Sequence, residues 1–82
     1  VIKMIVKPLS AEITLNANST VSSASCVRVY NSDAGAALIT NETTGGSFTM
    51  PTGSITFVVK LPAEELSSSV DVKATSVAFT IS

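Results

Sequence analysis

Ser54-Ile55-Thr56-Phe57-Val58-Val59-Lys60 is the stretch on which the fold turns. Every second side chain, Ile55, Phe57 and Val59, is large and apolar, and the set between them is Thr56, Val58 and Lys60. Period two carried by β-branched and aromatic residues is the pattern of a strand with one covered face. It predicts Ile55, Phe57 and Val59 inward and Lys60 outward. Pro51-Thr52-Gly53 in front reads as a turn. Leu61-Pro62-Ala63-Glu64-Glu65-Leu66 behind has Pro at a first helical position and Glu in the first turn. Free N–H groups there attract carboxylates, so one helical turn is expected near residues 62–66. Ser67-Ser68-Ser69 reads as a flexible exit.

Upstream, the same alternation recurs. Ile2 to Lys7 sets Ile2, Met4 and Val6 against Lys3, Ile5 and Lys7, and Pro8 ends the run or confines it to an edge. Ile13 and Leu15 form the inward pair of a short strand over Glu12–Leu15. Asn16–Thr20 and Ser22–Ser25 are polar runs that read as a connection with turn chemistry. Cys26 to Asn31 puts Val27 and Val29 on one face and Arg28 and Tyr30 on the other. Ala36–Thr40 and Ser47–Met50, joined through Thr43-Thr44-Gly45-Gly46, form a hairpin. Downstream, Val70, Val72 and Ala74 hold even positions, whereas Val77, Phe79 and Ile81 hold odd ones. A shift of inward phase near Thr75-Ser76 predicts a β-bulge there.

These elements predict an all-β protein. It is a small antiparallel β-sandwich or barrel-like domain of about 7–8 short strands, with turns every few residues. Residues 1–82 form a single β domain, with residues 1–9 an N-terminal arm or edge strand. The predicted core is Val27, Val29, Phe48, Ile55, Phe57, Val59, Val77 and Phe79. No connection is long enough for the crossover helix that parallel strands need.

Composition narrows the function. The 82 residues are 45% apolar and 13% charged, with net charge −1. That excludes a charge-driven disordered tail and a polybasic nucleic-acid or membrane-surface binder. With 13 Ser and 10 Thr, hydroxyls outnumber charges on the polar positions, a composition common in extracellular and virion-surface β-proteins. No apolar run approaches the roughly 20 residues of a membrane helix. The start is too interrupted for a signal peptide, and Met4 within it is an alternative start. One Cys and no His leave no internal disulfide, no imidazole base and few metal ligands.

The chemistry-bearing residues have plain readings. Cys26 opens a strand and is expected as a small buried hydrophobe. Glu64 and Glu65, with Asp71 nearby in sequence, are read as favourable charge at a helix start rather than as metal ligands, and Asp33 as a turn residue. Asn18-Ser19-Thr20 and Asn41-Glu42-Thr43 match the glycosylation pattern by chance. No catalytic, cofactor-binding or metal-binding residue is expected. Two features point to protein contacts instead. Ile2, Met4, Ile5 and Val6 make the first segment apolar on both faces, so a neighbouring subunit is expected to cover part of it. Arg28 and Tyr30 share a strand face and are residue types enriched at interface hot spots.

Four runs carry a resemblance: Val27-Arg28-Val29-Tyr30-Asn31, Gly46 to Gly53, Thr56 to Leu66, and Val72 to Phe79. Together they resemble a group of small virion proteins of tailed bacteriophages. The resemblance covers most of the chain from Cys26 onward. It implies a capsid decoration or cement protein, made in the host cytoplasm and acting on the virion surface. Such a protein is non-enzymatic and needs no cofactor. Its partners would be the major capsid protein or another virion protein, with copies associating as a homo-oligomer and no nucleic acid or membrane bound. A small tail, neck or fibre component is compatible with the same runs. The alternative from a different class is a carbohydrate- or cell-surface-binding β-module, in which Tyr30 and the Asn/Asp loops would touch sugar.

Overall fold

Eight segments form strands in the computed structural model, which describes the backbone of residues 4–81 and the side chains of residues 6–78. They are β1 (Met4–Pro8), β2 (Ile13–Leu15), β3 (Cys26–Tyr30), β4 (Ala37–Asn41), β5 (Ser47–Met50), β6 (Ile55–Val59), β7 (Leu66–Ser68) and β8 (Val72–Ile81). Every strand pairing is antiparallel. The larger sheet runs β1-β8-β3-β6, with β2 also on β8, and the smaller runs β5-β4-β7. The protein is therefore an all-β sandwich.

The two sheets close over one core. The larger sheet contributes Leu15, Val27, Val29, Val72 and Ala74, and the smaller contributes Ala37, Ile39, Met50 and Leu66. Burying a side chain of the Val, Leu or Met class is worth about 1.5–3 kcal/mol. The chain exposes 4649 Å², close to the roughly 4,600 Å² that size scaling gives a folded globule of this mass.

Two core residues come from the connection between β2 and β3: Ala24 from a run expected to be polar, and Val21 from between the two polar runs. Val21, Ser22 and Ser23 all have positive φ, at 51°, 58° and 54°. This single left-handed turn is closed by the Ala24 N–H on the Thr20 carbonyl at 3.2 Å. Left-handed backbone is disfavoured for a β-branched residue, and the burial of Val21 offsets that cost. Asn31 is also buried. Its Nδ2 donates to the carbonyls of Gly35 and Met50, both at 3.0 Å, and its Oδ1 accepts the Asp33 N–H at 3.0 Å. One side chain thus ties the β3–β4 loop to the end of β5.

Several expectations are corrected. β6 sits in the opposite phase: Val58 packs against the core, Ile55 and Val59 are exposed, and Phe57 is half-buried. Lys60, expected outward, is buried. Phe48 is exposed because β5 lies at a sheet edge. Val27 and Val29 lie in the core as expected. Val77 is buried but outside the core cluster, and the Phe79 side chain lies outside the described residues.

Residues 62–66 make no helix. The Glu64 N–H donates to the Leu61 carbonyl at 3.0 Å, and the Leu61 N–H donates to Glu64 Oε1 at 2.7 Å. Four residues, Leu61–Glu64, are enough for this reciprocal turn, and β7 begins at Leu66 after Glu65. The serine run is not a loose exit: Ser67 and Ser68 pair with Thr40 and Ile39.

The expected bulge in β8 is absent from its pairing with β3, which holds one register from Lys73 to Ser76. The slip lies on the opposite edge. β1 pairs Pro8 with Val77 and β2 pairs Ile13 with Ala74, so Leu9–Glu12 oppose only Thr75 and Ser76. The apolar set of β8 therefore changes face of the sheet instead of bulging. Val72 and Ala74 look into the sandwich, and strand alternation turns Val77 to the outer face.

Candidate interaction surface

β3 and β6 build the outer face of the larger sheet. Residues directly opposite in an antiparallel pair share a face. The register sets Tyr30 beside Ile55, Arg28 beside Phe57 and Cys26 beside Val59. On the other side of β3, Tyr30 opposes Lys73 and Arg28 opposes Thr75. The outer face thus has an apolar margin on β6, a mixed row on β3 and a polar row on β8.

The polar part is self-satisfied. Arg28 Nη1 lies 3.7 Å from Glu12 Oε2, and the side chains are 33% and 47% exposed. An ion pair that open to water contributes at most about 1 kcal/mol, so it orients Arg28 more than it stabilises the sheet. Lys73 Nζ donates to Thr14 Oγ1 at 3.0 Å. The apolar margin has no such cover. Ile55 is 49% exposed, Val59 77% and the following Leu61 69%.

The backbone of β6 is open too. The Asn31 N–H donates to the Ser54 carbonyl at 3.0 Å, and the Lys60 N–H to the Ser25 carbonyl at 3.1 Å. Bonded and non-bonded pairs alternate in an antiparallel ladder. Between those two fixed ends, Thr56 and Val58 bond to β3. Ile55, Phe57 and Val59 turn their N–H and C=O groups to the free edge. Among the described residues nothing bonds to those groups, so the same three residues carry both the outward apolar side chains and the edge-facing backbone.

The other described edges are blunted. β1 carries Lys7 and Pro8, the residue types that discourage strand addition. β7 has three residues and is covered by Ser19, whose N–H and C=O exchange bonds with Leu66 at 2.9 and 2.8 Å. β2 also has three residues, and β5 has four and runs directly into Pro51.

Of the six residues expected at an interface, the structure brings Val6, Arg28 and Tyr30 to the outer face. Val6 is half-buried and opposes Phe79 in β1–β8 pairing, two residues along continuous β8 from Val77. Met4 and Ile5 are placed by their backbone in β1, opposite Ile81 and Thr80, and their side chains lie outside the described residues, as does all of Ile2. Sequence reasoning missed Ile55, Phe57 and Val59, whose size and spacing match an inward face equally well.

The remaining candidates occupy structural positions. Cys26 is buried, and burial pushes its thiol pKa up. Asp33 Oδ2 accepts the Gly35 N–H at 3.0 Å, which closes a turn. Asp71 Oδ1 accepts from Asn16 Nδ2 at 3.0 Å. Glu64 holds its own turn, and the Glu65 N–H donates to Thr43 Oγ1 at 3.2 Å. Among the described residues, no three Cys, Asp or Glu side chains gather as a metal-binding group, and no helix is long and apolar enough to cross a membrane. Compared with known protein families, with curated proteins and with solved structures, the chain matches none.

Proposed function

We propose that this chain is a non-enzymatic structural protein of a virion, a decoration or cement protein that seats the outer face of its larger sheet on an assembled capsid. The observation that carries this reading is the apolar, open margin of β6 running into Arg28 and Tyr30 on the same face. Isolated apolar residues on a surface are ordinary, but a contiguous row beside an Arg and a Tyr has the make-up of a protein interface. The resemblance of Val27–Asn31, Gly46–Gly53, Thr56–Leu66 and Val72–Phe79 to small virion proteins of tailed bacteriophages supports the same reading. A cement protein binds the assembled lattice and not its separated subunits, and so stabilises the lattice by mass action.

The test is occupancy on purified particles, read by mass spectrometry and imaging. The wild-type chain is expected on the head in many copies. Ile55→Asp combined with Val59→Asp is expected to remove it from particles while the domain stays folded, because both side chains are already exposed. Absence of the wild-type chain from purified particles refutes the reading. Location in the tail or neck corrects its place in the virion. Saturable glycan binding by the isolated domain points to the carbohydrate-binding module instead.

A further inference from the structure

β6 is an edge strand of five residues with no charge and no proline within it. Its outward backbone groups belong to Ile55, Phe57 and Val59, which are symmetric about Phe57. The next charged residue along the chain, Lys60, is buried. It donates from Nζ to the carbonyls of Leu61 and Pro62 at 3.2 and 3.3 Å, so it does not project over the edge.

From this we infer that β6 is the contact between two copies of this chain, paired antiparallel about a two-fold axis at Phe57. In that register Ile55 of one copy opposes Val59 of the other, and Phe57 opposes its own counterpart. All three are edge-facing residues, so each opposed pair exchanges two bonds. The result is about six inter-strand hydrogen bonds. Thr56 opposes Val58 on the inner side. β6 carries no charge, so this register sets no like charges against each other, and every outward side chain of one copy meets an apolar side chain of the other. A two-fold contact uses the same patch on both subunits and closes after two copies. The edge is then consumed, and an uncharged strand that would invite open-ended addition is capped. The larger sheets of the two copies join into one, with Arg28 and Tyr30 of both on the same broad face.

This inference is independent of the capsid reading, because it is measured on the isolated protein. Sedimentation and light scattering are expected to find a dimer at micromolar concentration. Val59→Pro removes an edge N–H while sparing the β3 ladder, and is expected to weaken the dimer about tenfold or more. Phe57→Lys and Phe57→Glu each place like charges across the axis and are expected to be monomeric. Mixing the two is expected to restore a dimer, an outcome that requires Phe57 to lie close to its own counterpart across the contact. Circular dichroism melting of each variant verifies folding. If the Phe57 variants do not fold, Val59→Pro alone decides. A wild-type chain that stays monomeric to about 0.5 mM, above the range of specific interfaces, overturns the inference. So does a dimer that Val59→Pro leaves unchanged.

Discussion

Lys60 is where the charge of a residue and its position disagree. It follows β6 in the phase of Thr56 and Val58, and a lysine in that phase normally marks the solvent face. Here it is buried at the strand end, with its Nζ on two backbone carbonyls. Burial lowers its pKa from the ordinary 10.5, and the nearby Glu64 charge opposes that shift in part. Between the lowered value and 10.5 the unfolded chain binds more protons at this site than the folded one. Stability from Lys60 therefore rises with pH through that window, and the charged form carries a penalty below it. Lys60→Met removes the penalty, and the freed carbonyls sit on exposed Leu61 and Pro62, where water reaches them. The variant is expected to be at least as stable as wild type at pH 7. Its advantage should shrink as pH rises toward 10.5, read as the difference between the two in urea unfolding at a series of pH values. An advantage that grows with pH contradicts this account of the site.

At the level of strands, β6 makes the sharpest comparison. Met50 is buried in the core, whereas Phe57 is half-buried on the outer face. Met50→Ala is expected to cost about 2–5 kcal/mol and Phe57→Ala only about 1–2 kcal/mol, despite the larger ring. Denaturant unfolding of the two variants checks this, and a Phe57 loss equal to that of Met50 would return Phe57 to the core. The contrast also marks what alternation can and cannot reveal. It was enough for Cys26–Tyr30, for the hairpin of β4 and β5, and for the existence of β6, because β-branched and apolar residues recur there at period two. It did not reveal which face of β6 is covered, since Ile55, Phe57 and Val59 compete with Val58 and the misleading Lys60. β7 was invisible because Ser67 and Ser68 carry no hydrophobic signal and are held by pairing with β4. The core role of Val21 depends on a left-handed turn that nothing in its neighbours announces.

For the whole molecule, the placing of Arg28 and Tyr30 on one outer face was legible from local alternation, but their joining to Ile55, Phe57 and Val59 was not. That requires β3 to lie between β6 and β8, a long-range arrangement. The open margin follows from the strand order as well, because β6 is free only by being last in its sheet. The charges of the molecule are spread thinly, five basic and six acidic residues with net charge −1, and Arg28 and Lys73 are already engaged on the outer face. Association through β6 must then draw on apolar burial and backbone hydrogen bonds rather than on long-range attraction. Salt confines attraction between exposed charges to about 10 Å at 0.1 M and to about 3 Å at 1 M, but it leaves apolar burial intact. Self-association and particle binding are therefore both expected to vary less than about threefold between roughly 0.05 and 0.5 M NaCl, and to strengthen in sulfate, which is excluded from protein surfaces. Titration at fixed pH by light scattering and by particle sedimentation measures each. A tenfold or greater loss across that range would mean that Arg28 and its charged neighbours, not the β6 margin, carry the contact.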